Sequence, residues 1–231
     1  HNDLADLERR LAACSDGGPA VVISESLFSM EGTSPDLDSL ARLCAAYGAR
    51  LLIDEAHALG VLGNGGRGLC HGLRHPVHLI SGTFGKAFGS GGAFLAADDA
   101  MGEQLLQTSG AFRYTTAMAP PLVAGALAAL KRIEAHPSWG DQLQTRASRW
   151  RDALERSGWS RPAGAGPILP LIVGADEVAL GLQQKLETAG LLCIAIRPPT
   201  VPEGQARLRI VVRRDLPDNT LERFLTALSS P

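Results

Sequence analysis

The chain has 231 residues, of which 45% are hydrophobic and 20% charged, and its formal net charge is −2. That length accommodates one large domain or two modest ones with a real core, in an ordinary globular composition. The near-neutral balance excludes a global field drawing the chain to nucleic acid or membrane, and no apolar run approaches the roughly 18 residues of a membrane span.

The opening "HNDLADLERR" lacks a secretory pattern, and Leu4, Leu7 and Leu11 recur at helical spacing. "AVVIS" reads as a short buried parallel strand. "DLDSLARLCAAYG" reads as an amphipathic helix, with Ser34 or Asp36 near its start and Gly48 beyond its end. "RLLID", "VHLIS" and "GAFLAA" are the next strands. Alternating strands and helices predict an open, mostly parallel α/β sheet. In such sheets ligands gather at the carboxyl ends of strands, where residues 24–29, Asp54 and residues 81–86 fall. From about Met118 the pattern changes. Two long helical stretches, "APPLVAGALAALKRIEAH" and "WGDQLQTRASRWRDALERSG", precede the strands "ILPLIV", "LLCIAI" and "ARLRIVV" and the helices "EVALGLQQKLETAG" and "NTLERFLTAL". We expect a larger unit over residues 1–136 and a smaller α+β domain over 137–231.

The four cysteines, Cys14, Cys44, Cys70 and Cys193, form no CxxC pair. Scattered thiols suggest a reducing, cytoplasmic setting. In "CHGLRHPVH", Cys70, His71, His75 and His78 crowd together, but Pro76 interrupts any helix and His78 falls in an expected strand, so we expect a structural loop and no metal. Trp139, Trp150 and Trp159 are expected to pack, and Arg146, Arg149 and Arg151 to form a solvated helix face. Arg207 and Arg209 alternate with apolar residues, as on a half-buried strand with surface charge.

The letters "DEAH" at residues 54–57 also mark helicases. That chemistry needs a GxxxxGK[ST] phosphate cradle, whereas the Gly85-Lys86 pair is followed by alanine and lies after the acidic strand. Lysine is scarce: Lys86, Lys131 and Lys185 are the three present. The last two sit in amphipathic helical patterns, but Lys86 lies in "SGTFGKAFGSGG", whose glycines permit close backbone approach to a ligand. Thr83 and backbone N–H groups there suit a phosphate. A lysine amine with its usual pKa of about 10.4 is a poor nucleophile at neutral pH, a limit removed when it forms a Schiff base. Pyridoxal phosphate needs such a lysine, a phosphate cup and a carboxylate on its pyridine nitrogen. Asp54 is the candidate carboxylate, and His57 a donor to the phenolic oxygen.

The blocks "ESLFSMEG", "DEAHALGVLGNGGRG", "GTFGKAFGSGG" and "IRPPTVPEGQARLRI" resemble, in order, those of the α-oxoamine synthases, pyridoxal-phosphate enzymes of the aspartate-aminotransferase fold type. The resemblance implies that Lys86 carries the internal aldimine and moves the substrate Cα proton. It implies that Asp54 pairs with the pyridinium, that His57 and Ser29 contact the phenolic oxygen, and that Thr83 binds phosphate. Thr115 or Thr116, in "RYTTAMAPP", is implied to reach the phosphate in a neighbouring subunit of a homodimer. Thr200 is implied to touch the substrate and Arg197 to grip its carboxylate, as a guanidinium does. The "RPPTVP" block points to the biotin-pathway reaction, a decarboxylative condensation of L-alanine with a pimeloyl thioester carried by CoA or an acyl carrier protein. The alternatives are a sister enzyme of the 2-amino-3-ketobutyrate CoA ligase type and an inactive fragment. The family's chain extends ahead of the position of His1, so the start of the large domain is expected to be missing here, leaving strand edges open. "SMEGTSPDL" departs from the family pattern and leaves Glu31 without a role, as Glu55 also is.

Overall fold

A computed structural model describes residues 1–14 and 18–229. By internal contacts the chain divides into two units, one of His1–Leu27 with Ser34–Gly140 and the other of Phe28–Thr33 with Asp141–Pro231. No pattern in the sequence groups the short segment Phe28–Thr33 with the second unit.

In the first unit, helix α1 (Leu4–Ala13) starts at Asp3, whose carboxylate accepts the Asp6 N–H at 2.9 Å. Helix α2 (Leu37–Ala46) starts at Asp36, which accepts the Ser39 N–H at 3.1 Å. Asp36, not Ser34, is therefore the cap. Such caps satisfy N–H groups that the helix itself leaves orphaned. Strands β1 (Val21–Glu25), β2 (Arg50–Asp54), β3 (Leu79–Thr83) and β4 (Ala93–Ala97) form one sheet in that order. The first two pairings are parallel and the last antiparallel. The expected mostly parallel sheet is present.

Alternation along β2 sends Leu51 and Ile53, both fully buried, to the face packed by Leu11 of α1 and by Leu37, Leu40 and Cys44 of α2. Leu52 and Asp54 point to the opposite face, in register with Ile23 and Glu25 of β1. There Val21 and Ile23 remain 62% and 71% exposed. Helices α3 (Asp99–Thr108), α4 (Gly110–Arg113) and α5 (Pro120–Ala135) follow β4.

The second unit takes helix α6 (Trp139–Arg156) from Asp141 onward, then β5 (Ile168–Gly174), α7 (Asp176–Thr188), β6 (Ile194–Ile196), β7 (Ala206–Val211) and α8 (Thr220–Ser229). Its sheet runs β5-β7-β6, with both pairings antiparallel. Trp150 and Leu154 of α6, Leu169, Leu186, Leu208 and Phe224 build its core, with Trp150 and Phe224 ring centroids 5.2 Å apart. Trp159 packs partly against that core, and Trp139 stacks on His136 at 4.2 Å.

Two expectations about charge require correction. Arg151 does not face solvent: it is 2% exposed and donates to the carbonyls of Pro162, Ala163, Gly166 and Ile168. Arg146 is also tied down, donating to the Leu216 carbonyl at 2.5 Å, whereas Arg149 is exposed. Arg207 is 3% exposed and is not a surface strand charge. It donates to the Met30 and Gln205 carbonyls and lies 3.8 Å from Glu31. Acceptors brought from distant segments make these burials tolerable.

The four thiols have unequal surroundings. Cys14 is exposed, while Cys44 and Cys193 are buried. Burial pushes the Cys44 thiol up and the Cys193 thiol up to about 12. Burial, then the Glu55 carboxylate, push the Cys70 thiol up. The thiolate is the reactive form. At mildly alkaline pH a disulfide reagent is therefore expected to titrate Cys14 alone in the native protein and four thiols after denaturation. Rapid modification of a Cys14→Ser variant would show that another thiol is accessible.

Candidate active site

The site begins where β2 ends. Parallel registry sets Asp54 beside Ser81 of β3, with both side chains on one face. The Ser81 hydroxyl donates to Asp54 Oδ2, and the Ala56 N–H donates to Oδ1 at 2.8 Å. The Asp54 main chain is fixed as well, because its carbonyl accepts the Ser26 N–H at 2.9 Å. The carboxylate is thus oriented at a strand end and remains half-buried. His57, also half-buried, follows three residues later in the loop leaving the strand.

One strand over, β3 and β4 are joined by the lysine turn. Thr83, the last residue of β3, pairs with Ala93. Its hydroxyl accepts the Gly85 N–H at 3.1 Å and donates to the Gly92 carbonyl at 3.2 Å. The turn is tightened by Phe84 N–H to Gly92 O at 2.9 Å, Ser90 N–H to Phe84 O at 2.8 Å, and Gly89 N–H to Lys86 O at 3.0 Å. Phe84 packs edge-on against Phe88, with centroids 5.6 Å apart, and lies 5.3 Å from Phe94. The Ser90 hydroxyl donates to the Leu122 carbonyl of α5 at 2.6 Å. Lys86 stands exposed on this braced loop, and its amine has no hydrogen bond or ion pair among the described residues.

Asp54, His57, Thr83, Lys86, Thr115 and Thr116 all belong to the first unit, with the two threonines exposed beyond α4. Ser29, Arg197 and Thr200 belong to the second. Arg197 and Thr200 are exposed just after β6, where the Thr200 N–H donates to the Arg197 carbonyl at 3.0 Å. Ser29 is held through its main chain: Arg209 Nε donates to the Ser29 carbonyl at 2.6 Å. Burial pulls the Arg209 pKa down. Glu31, left unassigned by the sequence, pairs with Arg207.

Sequence reasoning missed two roles here. In the sequence Ser81 is only the start of the lysine motif, but strand registry makes it a partner of Asp54. Arg207 and Arg209 were read as charge and not as clamps on the 28–33 segment. Their spacing at i and i+2 on a strand could have suggested a shared target.

An oriented carboxylate and an amine unpaired among the described residues, on adjacent strand ends, are the elements of covalent carbonyl-cofactor chemistry. The family model "Aminotransferase class I and II" matches residues 1–228, and the chain belongs to that family. Within it, the chain is 40% identical to 8-amino-7-oxononanoate synthase of Chromohalobacter salexigens over 100% of its own length and 60% of that protein's. It is 40% identical to the enzyme of the same name from Marinobacter nauticus, covering 99% of this chain and 58% of that one. Among solved structures, serine palmitoyltransferase of Sphingomonas wittichii matches with a TM-score of 0.92 at 28% identity, over 99% of this chain and 58% of that one. The 8-amino-7-oxononanoate synthase of Francisella tularensis matches with a TM-score of 0.82 at 28% identity, over 99% and 65%. The chain thus spans about three-fifths of the length of the curated relatives it matches.

Proposed function

We propose that this chain is the part of a pyridoxal-phosphate-dependent acyltransferase that carries the reactive lysine. The enzyme joins L-alanine to a pimeloyl thioester, of CoA or an acyl carrier protein, with loss of the thiol and carbon dioxide. The product is 8-amino-7-oxononanoate, in cytoplasmic biotin synthesis. What carries the reading is the 40% identity to 8-amino-7-oxononanoate synthases across the whole chain, together with Asp54 and Lys86 on adjacent strand ends.

The residues present fit the cofactor: the Lys86 amine has no hydrogen bond or ion pair among the described residues, Asp54 is pre-oriented, and the Thr83 hydroxyl, donated within the turn to the Gly92 carbonyl at 3.2 Å, would turn to a phosphate instead. When bound, pyridoxal phosphate supplies an aldehyde that condenses with amines and a protonated ring that accepts electrons. Asp54 would hold the proton on the ring nitrogen. His57 and Ser29 donate to the phenolic oxygen, and Thr83 binds the phosphate. Thr115 or Thr116 reaches the phosphate bound by the second subunit of a homodimer. Lys86 would hold the cofactor through its amine and, when that amine is free, would serve as the base for the Cα proton of alanine. Arg197 holds the amino acid carboxylate and Thr200 contacts the substrate. In this scheme residues 1–136 are the cofactor domain and 137–231 the smaller domain.

A second reading, a sister condensing enzyme with another amino acid or acyl chain, is favoured by the higher TM-score of the serine palmitoyltransferase match. Product formation from alanine, glycine and serine, each with pimeloyl, acetyl and palmitoyl thioesters, separates the two. The full chain is expected to prefer alanine and pimeloyl thioester. Preference for another pair would replace the first reading with the second.

A further inference from the structure

Glu55 directly follows the cofactor-directed Asp54 but points the other way and is 1% exposed. A carboxylate this deeply buried requires donors, and two main-chain groups supply them. Oε1 accepts the Leu69 N–H at 2.9 Å and the Cys70 N–H at 2.7 Å, and Oε2 lies 3.1 Å from the Leu69 nitrogen. Gly68, with φ +85°, makes room, because a methyl group there would fall 1.6 Å from Oε2. The carboxylate therefore ties the far end of the 55–70 loop back to the end of β2.

Inside the loop, Gly60 N–H donates to Gly66 O at 2.7 Å and Gly68 N–H to Leu62 O at 3.0 Å. The loop then makes two close contacts, one with the lysine turn and one with the end of β3 that leads into it. A methyl group at Gly60 would sit 2.7 Å from Ala87 Cβ, next in sequence to Lys86. A methyl group at Gly82 would sit 2.7 Å from Leu59 Cδ1. The Gly60 contact is the stiffer of the two, because the Ala87 Cβ is fixed to the turn's backbone and has no rotamer by which to move aside, so a shift of the loop is felt at the residue beside Lys86.

We infer that Glu55 is a positioning residue of the active site: by closing the 55–70 loop from within, it sets the surface against which the Lys86 turn rests. It touches neither cofactor nor substrate. The importance of the lysine rests on the function proposed above, but the mechanical link is a property of this chain alone.

The test uses amide hydrogen exchange in the full chain without cofactor, comparing wild type with Glu55→Ala, Glu55→Gln and Leu40→Ala. Leu40, 4% exposed in the α2 core, serves as a control for general destabilisation. With exchange corrected for global stability, Glu55→Ala is expected to speed exchange at Gly89 and Ser90 roughly tenfold or more over Leu40→Ala. Glu55→Gln, whose single carbonyl oxygen can still accept both N–H groups, is expected to stay near wild type. Equal exchange at Gly89 and Ser90 in Glu55→Ala and Leu40→Ala would overturn the inference. If Glu55→Ala does not fold, Glu55→Asp, one methylene too short to reach, is judged by the same comparison. Capture of added pyridoxal phosphate, followed by visible absorbance, is expected to slow in Glu55→Ala but not in Glu55→Gln or Leu40→Ala. Failure of the wild type to capture it would count against the proposed function while leaving the exchange result to judge Glu55.

Discussion

Replacing Lys86 by alanine is expected to abolish the visible absorbance of pyridoxal phosphate bound to the protein and to reduce product formation drastically. A positioned proton-transfer group contributes about 10²- to 10⁴-fold to turnover. Lys86 is also the proposed point of covalent attachment, so the loss should reach at least the upper end of that range. The variant should fold as the wild type does, because the side chain is exposed and its amine makes no hydrogen bond or ion pair among the described residues. The prediction therefore separates chemistry from stability. An identical visible spectrum with an unchanged unfolding midpoint would remove Lys86 from the mechanism, and Lys131 or Lys185 would then have to be tested.

The largest loss of stability is expected from Arg151→Ala. Arg151 joins α6 to the loop before β5 and to the first residue of that strand, through the Pro162, Ala163, Gly166 and Ile168 carbonyls at 2.7 to 3.3 Å. No carboxylate pairs with it among the described residues, and its buried Nη1 has no hydrogen-bond partner there. Burial, then the nearby charge of Arg161, pull its pKa down from the ordinary arginine range to about 10. Truncation leaves several buried carbonyls without a donor and opens a cavity beside Ala147 and Leu154, at a cost on the order of 4 kcal/mol.

The sign of the pH effect follows from the depressed folded-state value. Both states hold the proton below about 10, so the cost of burying the charge is constant through neutral pH. It is relieved only as pH rises above about 10. Chemical denaturation followed by fluorescence of the buried Trp150 is the appropriate measurement. A loss below about 1 kcal/mol, the scale of a single ordinary hydrogen bond, would mean that the four carbonyls are satisfied without the guanidinium.

Arg151 also marks where reading the sequence stops. On a helical pattern, arginines at 146, 149 and 151 look alike, because the default for a charged helix residue is water. What separates them is a loop eleven to seventeen residues downstream that supplies acceptors. Non-local partners leave no trace in a local pattern, and the same holds for Arg207 with Met30 and for Phe28–Thr33 in the second unit. "LLCIAI" shows the complementary limit. Its apolar run is six residues long, but only Ile194–Ile196 pair, with β7, and Leu192 is 85% exposed. Hydrophobicity signals strand propensity, not where a neighbour's hydrogen bonds begin. Helices α3 and α4 went unread, although Asp98 caps the first by accepting the Met101 N–H at 2.8 Å. By contrast, "RLLID" became β2 residue for residue, because a short apolar run closed by an acid has few other uses in an α/β sheet. The lysine turn was legible for a simple reason: a lysine set among five glycines in twelve residues has little to offer as a solvated surface residue.

The pairing that closes that turn bears on how often a turnover could fail. Lys86 lies between Thr83 and Ala93, which face each other across two hydrogen-bonded strands. An amine displaced from covalent attachment in such a loop cannot diffuse away. It stays confined to a few ångströms around its former bond, at an effective concentration that no dissolved amine reaches. If Lys86 is the attachment point proposed above, release and recapture are the two ends of a short swing of one side chain, with the paired strands holding its base in place. A freely hinged loop would have to search for the same position in every cycle. Here the two strands keep the return address.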